Sequence, residues 1–421
     1  MKQTINASLA TLALALGLTA TAQEIRFLCY GDGFECETYE MLAEQFAAEQ
    51  DGATVVVDEV GYDVIRDQLE ARLQAGEAPD LARVTNLGGL NPFYLDLTPY
   101  VDADYWEANF GALLPWTRGG SDDNGIYGLQ DQLTVTGPYI NVSLFEEAGV
   151  ALPGEGASWD DWASAAAAVQ AELGLYSGMV MDRSGHRFAG MAMSQGAGYF
   201  DEAGEPALID DGFKAAVETM KSWHDSGLMP IDSWPGASGD TWTNEAGAFQ
   251  AQDAAIHISG SWMIGRYDAE ITDFEWRAIA APCGAAGCGA MPGGAAVVGF
   301  KDSAHPEVVA AFIDFLARED NARLFYERNL LIPSHAGLAA SGLNYPESTS
   351  DAAADALAAF TASLVSSQNT TPQAFALQAY RYNFVIYNAT ANYVSQYLAN
   401  EIDAEEAYAK IEEDIAKGIA E

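Results

Sequence analysis

Trp262 follows an apolar run, Ala254 to Ser259, and a Gly260-Ser261 turn, which sets an indole at the end of a strand. A flat ring so placed suits stacking on the C–H face of a hydroxyl-rich ring, with a packed core tryptophan as the competing role. Planar polar groups are the partners such a guest needs. Tyr30, Asp32 and Glu35 supply them where a first strand meets a first helix, and Arg83 and Asn86 follow a third strand. In open α/β sheets ligands gather at the carboxyl ends of strands, so both groups are site candidates. A turn role competes for Asp32, and a structural ion pair competes for Arg83. Trp242, in a Gly/Ser/Thr-rich loop, fits core and cleft alike. Trp106, Trp116, Trp159, Trp162, Trp223 and Trp276 are assigned to packing.

The cysteines form two close pairs, Cys29 with Cys36 and Cys283 with Cys288. Neither has the spacing of a zinc site, and no histidine lies beside them. Two local disulfides are therefore expected, each stiffening a short loop in an oxidising compartment. The histidines at 186, 224, 257, 305 and 335 are scattered without metal spacing. The chain has no G-x-S-x-G elbow, no H-E-x-x-H and no phosphate-binding glycine loop. No catalytic residue, metal or cofactor is called for.

The elements that must position these residues follow from periodicity. Ile25 to Tyr30 is an apolar run broken by Gly31-Asp32-Gly33, after which Tyr39, Leu42, Ala43 and Phe46 share a helical face. Thr54 to Val57 and Pro79 to Val84 read as strands around a helix at Ile65, Leu69 and Leu73. This alternation argues for an α/β domain with a largely parallel sheet. Trp159 to Leu173 reads as a helix capped by Ser158 with Asp161 three residues on. Strands are expected again at 276–281 and 295–300, and helices dominate beyond residue 350. With no Ser/Pro/Gly-rich linker, two lobes require a chain that crosses between them repeatedly, near 133–136, 278–282 and 331–334.

Compartment and charge narrow the class. Lys2, an apolar stretch from Ala7 to Leu18 and Ala20-Thr21-Ala22 read as a secretory signal cleaved after Ala22. The stretch is shorter than the about 20 apolar residues of a spanning helix. The 421 residues carry 19 Lys+Arg against 61 Asp+Glu, a formal net charge of -42. Such a surface repels nucleic acid and anionic membranes.

Several segments resemble the extracellular sugar-binding proteins of ATP-binding-cassette importers, solute-binding family 1, the maltose-binding-protein-like group. Ala78-Pro79-Asp80-Leu81 is similar to the family's strand entry. Tyr127-Gly128-Leu129, Tyr139-Ile140-Asn141 and Leu144-Phe145-Glu146-Glu147-Ala148-Gly149 resemble its next segment. Phe249 to Ile256 leading into Gly260-Ser261-Trp262, then Met291-Pro292-Gly293-Gly294 and Ile332-Pro333-Ser334, follow in the family's order. The resemblance implies the type II periplasmic-binding-protein fold, two α/β lobes joined by a multi-crossing hinge. It places a signal peptide at 1–22, one lobe at 23–132 plus 283–331, and the other at 133–282 plus 332–421.

It also implies a monomeric, non-enzymatic periplasmic protein that delivers a mono- or oligosaccharide to an inner-membrane permease by cleft closure. Gln132 and Thr134 occupy places where the family often has acidic contacts. Gly293 and Gly294 would let backbone amides approach a ligand, or simply make a turn. Two alternatives stay open: the same fold holding a polyamine or other small cation, and a secreted glycoside hydrolase with two carboxylates across a cleft.

Overall fold

Apolar runs alternating with amphipathic helices resolve into two five-stranded sheets in the computed structural model, which describes residues 23–50, 52–235, 243–367 and 369–420. The expected signal segment and Trp242 lie outside the described residues. The strands are β1 Gln23–Cys29, β2 Ala53–Glu59, β3 Leu81–Val84, β4 Gly128–Gln130, β5 Thr134–Asn141, β6 Ser177–Met181, β7 Ala254–Gly260, β8 Trp276–Ala278, β9 Cys283–Gly284, β10 Gly287–Cys288, β11 Pro292–Gly293 and β12 Ala296–Gly299. The first sheet runs β2-β1-β3-β12-β4; the second runs β11-β5-β7-β6, with β8 also pairing β5. Helices cover both sheets, giving two α/β lobes.

The parallel pattern expected from sequence holds where strand and helix strictly alternate: β1 pairs in parallel with β2 and β3. β12 enters between β3 and β4 antiparallel to both, because it arrives from the other lobe instead of through a crossover helix. In the second sheet β6 and β7 are parallel, whereas β5 is antiparallel to β7 and β8.

The chain passes between the sheets at three places. β4 leads into β5 through Asp131, Gln132 and Leu133. The return lies between β11 and β12, at Gly294 and Ala295, and not at 278–282 as expected. Residues 283–293 therefore run with the second lobe. The Cys283–Cys288 hairpin packs there, with the Ala286 N–H donating to the Ser194 carbonyl at 2.8 Å. The third passage brings Leu133 beside Ile332. The helix Ala336–Ser341, expected in the second lobe, packs instead on the first, where Leu338 joins the core. The disulfides Cys29–Cys36 and Cys283–Cys288 are both formed.

Each lobe has its own core. In the first, Phe312 on the helix Pro306–Ala317 meets Phe27 of β1 and Phe46 edge to face, at 6.2 and 5.2 Å between centroids. In the second, Trp159, Trp162, Phe188, Phe213 and Trp223 enclose β6 and β7. The helix Trp159–Leu173 begins with the expected capping box between Ser158 and Asp161. The C-terminal segment touches both lobes: Phe375 packs on Trp116 at 5.3 Å. Gly88 lies so close to Arg381 that a Cβ there would meet its Cα at 2.9 Å.

Because Phe312 is wholly buried among aromatic rings, Phe312→Ala is expected to cost about 3–5 kcal/mol, read by urea unfolding. A loss below about 1 kcal/mol would show that the first-lobe core does not close on this ring.

Candidate functional site

Two of the passages, at Gln132 and at Gly293-Gly294, border a cavity between the lobes whose empty volume, open mouth included, is about 820 Å³. Gly293 and Gly294 sit at its floor because nothing larger fits. A Cβ on Gly294 would lie 2.3 Å from the Gln132 carbonyl oxygen, and one on Gly293 would lie 2.9 Å from His186 Nε2.

The first lobe contributes a wall built on the turn after β1. Tyr30 and Asp32 line it, with Tyr62 and Thr85 beside them. Tyr30 packs on Tyr62 at 5.0 Å, and the Tyr62 and Thr85 hydroxyls hydrogen-bond at 2.9 Å. Behind this wall Arg83 is wholly buried. Its Nε donates to Asp131 Oδ2 at 2.6 Å and its Nη1 to the Tyr30 carbonyl at 3.0 Å. Its guanidinium lies 4.4 Å from the Tyr30 ring centroid. Asp32 and Glu35 stand at 3.6 and 3.7 Å from the same guanidinium. Three carboxylates around one cation leave surplus negative charge out of reach of water. Burial first, and the neighbouring Glu35 second, push the Asp32 carboxyl up to about 7.

The second lobe contributes the wall that follows β6. Asp182 is buried and accepts from Ser259 Oγ at 2.6 Å and from Arg187 Nη2 at 3.2 Å. It is joined to His257 Nε2 at 2.7 Å, and His257 Nδ1 pairs with the Tyr267 hydroxyl at 2.6 Å. The guanidinium of Arg187 then lies over the Trp262 indole, 4.2 Å from the centroid. Ser184 caps the helix Gly185–Ser194. His186 Nε2 lies 3.0 Å from the Pro292 carbonyl, so Nε2 carries the proton and Nδ1 is an acceptor. Burial holds this imidazole down at about 3, so it is neutral at ordinary pH. Tyr387 and Phe384, from the helix Asn383–Leu398, complete the cavity with Gln378. Two buried acceptors at this cavity, Gln132 Oε1 and His186 Nδ1, have no hydrogen-bond partner among the described residues. Across the mouth Arg266 donates from Nε and Nη2 to the Asp32 carbonyl, both at 3.1 Å.

Of the residues singled out from sequence, Tyr30, Asp32, Gln132, Thr134, Trp262, Gly293 and Gly294 are brought together on the lining. Arg83 is not on it; full burial makes it the ion pair that competed with the ligand reading. Glu35 likewise stands behind the wall, accepting from the Gly33 N–H at 2.7 Å and bracing the turn. Asn86 packs over its own turn against Gly89. Arg183, Ser184, His186 and Arg187 were missed, although they follow β6 just as Tyr30 follows β1. Tyr387 and Phe384 carry no local signal, since only tertiary packing brings their helix to the cavity. Gly185 permits that approach: a Cβ there would meet the Tyr387 carbonyl oxygen at 2.3 Å.

Comparison with known proteins places this geometry. The family described as bacterial extracellular solute-binding protein matches residues 37–323. A chain of Brucella abortus strain 2308 named as a binding protein is 25% identical over 329 residues, 76% of this chain and 78% of that one. Among solved structures, the ABC substrate-binding protein of Listeria monocytogenes in complex with cycloalternan superposes with a TM-score of 0.76 at 17% identity, covering 94% of this chain and 99% of that one. The GacH receptor of Streptomyces glaucescens, solved unliganded and with acarbose, gives 0.76 at 19% identity, over 94% and 98%. Maltose-bound MalE3 of T. maritima gives 0.73 at 17%, over 94% and 99%.

The shifted groups at the cavity make stability depend on pH in opposite senses. Folding raises the Asp32 pKa from 3.8 to about 7, so the folded form keeps a proton that the unfolded chain releases. The stability this contributes is lost as pH climbs from about 4 to 7. For His186 the folded value, about 3, lies below 6.5, so its contribution is lost as pH falls through that window. Asp32→Asn should therefore raise the melting temperature relative to the parent at pH 8 and much less at pH 5. A difference independent of pH would show that Asp32 does not titrate in this window.

Proposed function

Because the chain belongs to the bacterial extracellular solute-binding protein family, we propose that it is the periplasmic carbohydrate receptor of an ATP-binding-cassette importer. The observation that carries this reading is the interlobe cavity itself. Aromatic residues line it from both lobes, Tyr30 and Tyr62 from the first and Phe384 and Tyr387 from the second. Among them Gln132 Oε1 and His186 Nδ1 await donors, which the hydroxyls of a sugar supply. Three structural neighbours hold a cyclic oligosaccharide, acarbose or maltose, which supports the same ligand class for this chain. Closure of the lobes over the guest would shift the population towards the form that a permease recognises, and the receptor acts as a monomer exported by its N-terminal signal.

The chain performs no chemistry on its guest under this reading. A glycoside hydrolase needs a carboxylate pair facing each other across the cleft, and among the described residues Asp32 is the one carboxylate on the lining. A polyamine receptor fits less well, since Arg183 and Arg187 line the cavity and, among the described residues, Asp32 is the one carboxylate there.

A thermal-shift screen against mono- and oligosaccharides tests the reading. A sugar present at 100 times its dissociation constant should stabilise the protein by about 2.7 kcal/mol. Trp262→Ala, which removes the ring under Arg187, should reduce that stabilisation while the apo protein stays folded. Silence across the sugars, with a response to spermidine, would replace the carbohydrate by a cation.

A further inference from the structure

Trp262, the residue that sequence alone marks as the stacking platform, does not offer its face to a guest. The Arg187 guanidinium covers it at 4.2 Å. At its benzo edge the ring presses on the backbone, where a Cβ on Gly260 would lie 2.0 Å from Cζ3. Trp262 is left 8% exposed. What reaches the cavity from this wall is the guanidinium, whose side chain keeps 17% exposure.

We propose that Arg187 is the specificity-determining ligand contact of this site, donating its planar N–H edge to two adjacent oxygens on a sugar. The assignment rests on the carbohydrate reading of the cavity. Arg187 uses Nη2 on Asp182 at 3.2 Å and Nη1 on Ser184 Oγ at 3.4 Å. A guanidinium has more N–H donors than these contacts consume, and they lie in one plane at a fixed spacing. That geometry matches a vicinal hydroxyl pair or a carboxylate, and the indole beneath restrains the plane from tilting. Two unpartnered acceptors lie near it, His186 Nδ1 on Arg187's own helix and Gln132 Oε1 on the crossing segment. Hydroxyls of a sugar suit both kinds of group, since they donate as well as accept.

Asp182 is the positioning residue. Its oxygens are engaged by Ser259, by His257 and by Arg187. Its carbonyl accepts from the buried Trp234 indole at 2.9 Å. This closed network leaves the carboxylate one orientation, and Arg187 inherits it.

Isothermal titration with glucose, galactose and maltose, and with glucuronate and galacturonate as their charged counterparts, tests the assignment on parent, Arg187→Ala and Arg187→Lys proteins. Loss of a charge-assisted pair of hydrogen bonds should weaken binding roughly 10-fold or more in both variants, lysine included because it lacks the fork. Arg187→Ala uncovers the indole, so affinity that is unchanged or tighter would make Trp262 the platform and overturn the assignment. A parent that prefers the uronates identifies the oxygen pair as a carboxylate, and one that prefers the neutral sugars identifies it as a diol. A parent that binds none of the five removes the carbohydrate reading and this assignment together. A parent that binds while the variants bind equally well removes this assignment alone. Asp182→Asn, if folded by its melting profile, should raise the uronate-to-neutral affinity ratio, because Arg187 then keeps its charge unshared. An equal loss for both sugar classes would reduce Asp182 to a structural role.

Discussion

The bond from Arg83 Nε to Asp131 Oδ2, 2.6 Å long and closed to solvent, holds the cavity to the hinge. Arg83 comes from the third strand of the first sheet, and Asp131 is the last residue before the chain leaves that lobe. Through its other nitrogens Arg83 also reaches the Tyr30 carbonyl, Asp32 and Glu35, all on the turn that the Cys29–Cys36 bridge closes. Tyr39 adds a second donor to Asp131 at 2.7 Å. A buried pair of this kind adds little net stability over an apolar replacement. Breaking it by removing one partner costs about 3–5 kcal/mol, because a charge is stranded. Its value here lies in geometry: the binding wall and the crossing strand cannot move independently. Burial first, and the neighbouring carboxylates second, push up the carboxyls of both Asp32, the member nearest the cavity, and Asp131.

The second lobe repeats the arrangement with a different depth. Again a buried carboxylate, Asp182, holds a guanidinium, Arg187, over an aromatic ring, Trp262. Arg83 over Tyr30 lies beneath the surface of its wall and is spent on structure. Arg187 over Trp262 lies at the surface of its own and remains open to a guest. The same pairing is therefore sealed on one side and partly exposed on the other, with Arg83 wholly buried and the Arg187 side chain 17% exposed. Desolvation penalises a buried cation, and Asp131, the Tyr30 carbonyl and the nearby carboxylates of Asp32 and Glu35 offset it at Arg83, whereas the Arg187 side chain keeps 17% exposure.

The crossing strands impose the remaining constraint. Where β11 hands over to β12 the backbone passes within van der Waals distance of Gln132, which excludes any side chain at Gly294. The passages at Gln132, Gly294 and Ile332 thus form a thin, closely packed band between two thick cores. The net charge of -42 belongs to the outer surface and leaves the balance inside the cavity to these few paired groups.

Sequence alone determined whatever depends on near neighbours along the chain. The helix Trp159–Leu173 with its capping box, the strands at 23–29 and 254–260, the two short-range disulfides and the turn ahead of Trp262 all follow from periodicity and capping chemistry over a few residues. The same reasoning from strand ends picked out Tyr30, Asp32 and Trp262, which are on the lining, together with Arg83 and Asn86, which are not. Tertiary structure decided what depends on depth and on partners far away in the chain. Arg83 lies within the four-residue strand β3 and Arg187 in the helix after β6, and so short a strand gives no periodicity from which the depth of its arginine could be read. The position of the second crossing rests on which sheet the two-residue strand β11 joins, and so short a strand carries no periodicity of its own. Tyr387 and Phe384 reach the site only because Gly185 lets their helix lie against the opposing backbone, a contact set by packing across some 200 residues of chain.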